Sequence, residues 1–248
     1  MQSNEQLPLS HYRLAACAIR QGLGAERTIW IAGEIHKQEV QTILETFVLL
    51  RNWHPSLLLV INPHNPANCG EIHTYCHNAG LKAARHSEGE GCRTDCDIYL
   101  LDTAEELGLF YLASDAAFIG ASLIDDGYPD PSLPARAGLP LVAGPYSGHQ
   151  RLEPKSSRLA ARLERMGSLR RGSDSRQIAE ALRGLLVNGQ LGRALGECAR
   201  RAACRASSSR TPTVNQPNRD ISALAAGRST LLKSVNYSGS KPYQGHAS

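Results

Sequence analysis

Aromatic residues are scarce, 5% of the 248 residues, so a core here has to be built from Leu, Ala, Val and Ile. No apolar run approaches the roughly 18–20 residues needed to cross a bilayer. The start of the chain, MQSNEQLPLSHYRLAACAIR, has no basic stretch followed by an apolar one, the mark of a secretory signal; the cytoplasm is therefore the default location. A disulfide framework is excluded as well, because the seven cysteines are odd in number and irregularly spaced. Cys92 and Cys96, with Cys76, His77 and His86 near in sequence, invite a zinc reading. However, CRTDC has a C-x3-C spacing that no second tight pair faces, so these thiols read as reduced and no metal is expected. No internal repeat is visible.

Strong overall charge is also missing. The formal net charge of +4 is unevenly placed: from Arg205 onward the chain carries +5, and residues 1–204 carry −1. The basic balance belongs to the tail, and the globular part is not a nucleic-acid binder by charge. Ser, Pro, Asn and Gly dominate that tail without periodicity, a composition that cannot bury enough apolar surface to order itself. Three parts follow: a lead-in over 1–27 with a helix-compatible stretch from His11 to Gln21, a folded domain over 28–204, and a disordered basic tail over 205–248.

Within the domain, short apolar runs alternate with amphipathic segments. TIWIA (28–32), LLLVI (57–61), AAFIG (116–120) and LPLVAG (139–144) read as buried strands, with shorter ones near 81–85 and 97–101. Val40, Ile43, Leu44 and Phe47 recur at i, i+3, i+4 and i+7, one face of a helix. Further helices are expected over 67–79, capped by Gly80, and over 104–112, 150–164, 175–187 and 190–203. Strands apolar on both faces and alternating with helices imply an α/β fold, a single Rossmann-like three-layer domain with a parallel sheet. Ligands of such sheets sit beyond the carboxyl ends of the strands. The loops at 33–38, 62–67, 102–106, 120–131 and 144–149 are therefore the place to look for a site.

Five stretches, in the same order and spacing, make the chain similar to a known family. They are WIAGEIHKQEV (30–40) against W-V-A-A-S-T-H-x-G-E-E, LLLVINPHNPAN (57–68) against L-x-I-V-P-R-H-P-E-R, and GLKAARHS (80–87) against G-L-x-x-x-R-R-S. The fourth is LLDTAEELGLFYLASDAAFIGASL (100–123) against L-x-D-T-M-G-E-L-x-x-x-Y-x-x-A-D-x-A-F-V-G-G-S-L. In the fifth, SLIDDGYPDPSLPARAGLPLVAGPYSGHQ (122–150) runs without gaps along S-L-V-x-x-G-G-H-N-P-L-E-P-A-x-x-x-x-P-V-x-x-G-P-H. Together they resemble the C-terminal, donor-binding half of the 3-deoxy-D-manno-octulosonic acid (Kdo) transferases, two-domain GT-B glycosyltransferases of lipopolysaccharide synthesis.

The resemblance implies a domain that binds CMP-Kdo for transfer to a lipid A precursor, with no cofactor. It places nucleotide-sugar contacts on Pro63, His64, Asn65, Glu106, Leu107, Gly120, Ser122, Gly127, Asp130 and Pro131. Loop amides and a helix N-terminus would hold phosphate, and a carboxylate would accept ribose hydroxyls. The family's acceptor half has no counterpart in the twenty-nine residues before Trp30, so the implied partner is an acceptor domain on a separate chain, and no catalytic base is assigned here. Acting on a lipid implies the inner face of the plasma membrane, where the basic tail would meet anionic lipid; a solvated linker is the plainer account of that tail.

The departures bear on the chemistry. Where the family has the Arg of P-R-H, this chain has His64, so a permanently charged bidentate donor becomes an imidazole. Asp130 replaces an Asn, Leu133 a Glu, Glu105 a Gly, and Glu34-Ile35 the S-T pair. Each contact left unpaired costs about 1–3 kcal/mol. Plain structural readings stand beside the functional ones: Glu106 as a helix-dipole partner, Asp130 as turn chemistry, Gly120 and Gly127 as backbone glycines, and Asp125-Asp126 as solvated carboxylates. The rival to the enzyme is a degenerate, non-catalytic scaffold or adaptor descended from such a domain.

Overall fold

A computed structural model describes residues 9–89, 92, 95–125, 127–146 and 154–208. Seven strands form one wholly parallel sheet: β1 (Ile29–Ile35), β2 (Leu58–Pro63), β3 (Ala83–Arg85), β4 (Ile98–Leu100), β5 (Ala116–Ile119), β6 (Leu141–Ala143) and β7 (Leu169–Arg171). Their order across the sheet is β3-β4-β2-β1-β5-β6-β7. Helices cover both faces: α1 (Leu9–Leu23), α2 (Val40–Arg51), α3 (Cys69–Asn78), α4 (Leu107–Leu112), α5 (Ser132–Ala137), α6 (Pro154–Arg165), α7 (Ser175–Leu186) and α8 (Gly189–Ser208). This is the expected α/β, Rossmann-like architecture.

Side chains alternate across a strand, and here each face has its own apolar layer. Ile29, Ile31, Leu58, Val60, Ala117, Ile119 and Leu141 face α1, α4, α6 and α8, where Leu23, Phe110, Leu163 and Ala199 meet them. Trp30, Ala32, Leu59, Ile61, Ile98, Phe118 and Val142 face the other way, against Ile43 and Phe47 of α2, Ile72 of α3 and Ile178 and Leu182 of α7. Burial on two sides is why these strands read as solid apolar runs.

Two elements had no signal in the expected map. β7 contributes only Leu169 to the buried layer, followed by two half-buried arginines, so its sequence LRR carries no strand pattern. α5 is six residues, SLPARA, inside the Pro/Gly-rich stretch expected to be loop, and it closes on Gly138 at φ 85°. The segment read as a lead-in contains α1, whose Ile19 and Leu23 join the first layer. Arg20 ties it down, donating to Ala113 O (2.9 Å), Asp115 Oδ2 (2.9 Å) and Arg27 O (2.6 Å). At the other end α8 continues past 204 to Ser208. Residues 209–248, most of the expected disordered tail, lie outside the described residues. Among the described residues no helix is long and apolar enough to cross a membrane.

Candidate functional site

The chain steps from β1 outward to β2, β3 and β4, then returns to lay β5 on the other side of β1. The connections leave β1 and β5 in opposite directions, and their carboxyl ends open a crevice, the place where parallel sheets bind ligands.

The floor of that crevice is a buried knot. Glu39, just before α2, is wholly excluded from solvent. Its Oε2 accepts from the N–H of Ala121 (2.7 Å) and His36 (3.0 Å), and its Oε1 from the N–H of Ser122 (3.0 Å) and Leu123 (2.9 Å). Four amides facing one carboxylate offset the cost of burying its charge. Ser122 is fully buried and fully engaged. Its Oγ donates to Ile119 O (2.5 Å) and accepts from Gly144 N (2.7 Å), and its carbonyl accepts from Tyr146 N (3.0 Å). Gly120 has no room for a side chain, since a Cβ would lie 2.2 Å from Glu34 O; at Gly127 it would meet Ala121 O at 1.8 Å. Two non-glycine residues here have left-handed backbone, Glu34 (φ 59°) at the end of β1 and Ala121 (φ 60°) after β5.

The rim on the β2 and β4 side is more open. Asn62 is buried and stitches three strand ends, donating to Leu101 O (3.0 Å) and accepting from Glu34 N (3.3 Å). Beyond it, His64 is exposed; its Nδ1 lies 2.9 Å from Glu34 Oε2, and its ring stacks on His36 at 4.4 Å. Asn65 spends its Oδ1 on Ala67 N (3.0 Å), capping the short turn at Pro66. At the end of β4, Glu106 is half-buried between His86 Nε2 and Thr103 Oγ1. The hydrogen bond from His86 holds its carboxyl below the usual range. His86 in turn meets Tyr99 Oη through Nδ1 at 2.9 Å. Asp102 binds Ser87 through N–H and hydroxyl, joining β4 to β3. Leu107 is buried in the apolar layer.

On the β5 side, Asp130 Oδ1 accepts from Ser132 N (3.0 Å) and Ser156 Oγ (3.2 Å), and Pro131 occupies the cap position of α5. Burial, and then the charges of Glu34 and Asp130, push the Tyr111 phenol upward. The residues expected to act together thus fall into three roles. Gly120, Ser122 and Gly127 belong to the knot, and Leu107 to the core. Pro63, His64, Asn65 and Glu106 line the β2–β4 rim; Asp130 and Pro131 lie opposite.

Sequence reasoning missed the central part of Glu39, the His36–His64 stack, and His86. The signal for His86 was present: it stands where the family pattern has its second Arg. A separate groove of about 1060 Å³ runs along α2, lined by Val40, Leu44, Val48 and Tyr75, and takes in none of the expected contact residues. Among the described residues, no group of three or more His, Cys, Asp or Glu is arranged to hold a metal ion. Asp126 and residues 147–153, including the last part of the expected loop at 144–149, lie outside the described residues.

No family model matches the chain. It is 30% identical over 122 residues to the 3-deoxy-D-manno-octulosonic acid transferase of Haemophilus influenzae, covering 49% of this chain and 29% of that protein. It is 26% identical over 131 residues to the enzyme of that name from Aquifex aeolicus, covering 53% and 36% respectively. The match thus spans about a third of the length of these curated relatives. Among solved structures, the C-terminal CMP-Kdo binding domain of WaaA from Acinetobacter baumannii superposes with a TM-score of 0.66 at 22% identity, over 80% of this chain and 98% of that domain.

Proposed function

From the homology to Kdo transferases over about half of the chain, we propose that this protein binds CMP-Kdo at the carboxyl ends of β1, β2, β4 and β5. It does so as the donor half of a Kdo-transferase-like glycosyltransferase that serves lipid A in lipopolysaccharide synthesis. One observation carries the reading: among the described residues, the family-like motifs carry the carboxyl ends of β1, β2, β4 and β5 and the Glu39 knot beneath them. Asp130 offers the ribose its Oδ2, which has no partner among the described residues, and Glu106 presents its second oxygen on the other side. His64, held by Glu34 and stacked on His36, takes the place of the phosphate-facing Arg. Gly120, Ser122, Gly127 and Pro131 act by holding the backbone, Leu107 by anchoring α4.

Transfer to an acceptor then needs an acceptor-binding domain outside residues 1–248. A carboxylate of that domain would take the proton of the attacking hydroxyl while CMP leaves, inverting the anomeric centre. In this reading the transfer takes place at the cytoplasmic face of an anionic membrane, where a lipid acceptor would lie.

Calorimetric titration of the whole chain with CMP, with UMP as control, tests the reading. The expected result is saturable CMP binding, weakened about tenfold by Asp130→Ala, the loss of roughly one hydrogen bond to a charged group. His64→Arg, which restores the family residue, is expected to tighten CMP binding by a similar factor. Absence of binding by a demonstrably folded chain rejects the donor site. The scaffold reading would then stand, favoured by Leu133 and His64 in place of the family's Glu and Arg.

A further inference from the structure

Away from the crevice, the guanidinium of Arg27 sits among fixed acceptors. Its Nε donates to Ser56 O (3.1 Å) and its Nη2 to Leu57 O (3.0 Å) and Cys96 O (2.7 Å). This leaves Nη1 3.7 Å from the sulfur of Cys92. Cys92 is half-buried at the margin of the first apolar layer, whereas Cys96 is only 4% exposed, with its Sγ 3.0 Å from Ile98 O. Arg27 thus reaches both cysteines, Cys92 through its sulfur and Cys96 through its carbonyl, and both pack into the same apolar layer. A cation fixed by three carbonyls, an approachable thiol and a buried second thiol beside it are the parts of a reactive pair.

We propose that Cys92 and Cys96 form a redox-active dithiol that reacts with a hydroperoxide, Cys92 attacking and Cys96 resolving. The Cys92 thiolate attacks one peroxide oxygen and the O–O bond breaks. The other oxygen leaves with a proton as water (or as the alcohol), and Cys92 becomes a sulfenic acid. Cys96 then attacks that sulfur: the S–S bond forms, the S–O bond breaks, and the hydroxyl leaves with the Cys96 proton as a second water. Two thiols lose two electrons and the peroxide gains them.

The order of the two steps follows from the surroundings. Hydrogen bonding from Cys96, then the charge of Arg27, holds the Cys92 thiol below its usual range despite its partial burial; Cys96 is pushed up. Other thiols differ: burial raises Cys69 to about 11 and Cys76 to about 12, which leaves them inert. Tyr99 connects the pair to the site already described: it shares the apolar layer with Cys96, and its Oη meets His86 Nδ1. The dithiol itself does not rest on the donor reading.

Two measurements on the whole chain decide it. The first is iodoacetamide labelling near pH 7, read by peptide mass: Cys92 is expected to react several-fold faster than exposed Cys17, because the Arg27 guanidinium beside its sulfur favours the thiolate. The second uses a Cys17→Ser, Cys198→Ser, Cys204→Ser variant treated with stoichiometric hydrogen peroxide. Trypsin cuts after Arg93, between the two cysteines, so their disulfide joins two peptides that separate on reduction. In Cys96→Ser, dimedone should trap the sulfenic acid on Cys92. Labelling of Cys92 no faster than Cys17, or peroxide yielding no Cys92–Cys96 link within one chain, overturns the proposal. If Cys96→Ser does not fold, the first two readouts decide alone.

Discussion

The crevice floor and its rim are built on different principles. On the floor, Glu39, Ser122, Gly120 and Gly127 meet backbone on every side, and any change of size or charge there is passed to β1 and β5 at once. On the rim, His64 and Glu34 meet each other and solvent, and His86 and Glu106 meet each other, Thr103, Tyr99 and Phe110. On the rim the chain departs from the family pattern, with imidazoles, His64 and His86, at two of the pattern's arginine positions. On the floor it keeps Glu39, Gly120, Ser122 and Gly127. A site can exchange the groups it offers to a ligand while the frame that aims them is fixed by close packing.

The most severe way to break that contrast is to empty the knot. Glu39→Ala leaves four amides without their acceptor, two of them on the fully or nearly buried Ala121 and Ser122. We expect a loss of about 3–5 kcal/mol in urea unfolding, the cost of removing a buried charged partner. A loss below about 1 kcal/mol would mean that the floor is held by something else. Gly120→Ala comes next. Its Cβ would lie 2.2 Å from Glu34 O and 2.5 Å from Glu34 C, and backbone cannot yield as a side-chain tip does. About 2–3 kcal/mol of destabilisation is expected, against nearly none for His64→Ala on the exposed rim.

Much of this frame was legible in the sequence. The strands betrayed themselves as solid apolar runs, α2 through the spacing of Val40, Ile43, Leu44 and Phe47, and the position of the crevice followed from parallel topology. What stayed hidden depends on contacts between distant residues. Glu39 finds three of its four amides 82 to 84 positions further on, and no local pattern marks a glutamate destined for burial. β7 is an edge strand that buries one side chain, so its pairing with β6 left no trace in composition. The family pattern marked Glu39 and Ser122 as matches without distinguishing frame from contact, and only the hydrogen bonds separate the two.

A smaller effect is expected on the rim, and it depends on pH. The hydrogen bond from His86 depresses the Glu106 carboxyl in the folded chain. A depressed carboxylate adds stability above its unfolded value of about 4.3 and loses it as pH falls through the folded value. Glu106→Gln should therefore be less stable than the parent near pH 6, with the two unfolding curves converging as the pH drops below about 4. A gap that stays constant through that range would show that Glu106 contributes by shape and not by charge.

The smallest change turns the comparison around, because it restores a family residue on the floor itself. Ala121 stands where the pattern has the second glycine of F-V-G-G-S-L, and its φ of 60° is one that an L side chain adopts only at a cost. Left-handed backbone costs an alanine about 1–2 kcal/mol, and glycine gives back about 0.4–1 kcal/mol through the freedom of the unfolded chain. Ala121→Gly should therefore raise stability by up to about 1 kcal/mol in urea unfolding, leaving the Glu39 hydrogen bonds intact. Because the strain is local, the gain should persist in a His64→Arg background, adding to whatever that rim change does. If the two substitutions are instead strongly non-additive, floor and rim are one coupled unit, and the division drawn between them falls.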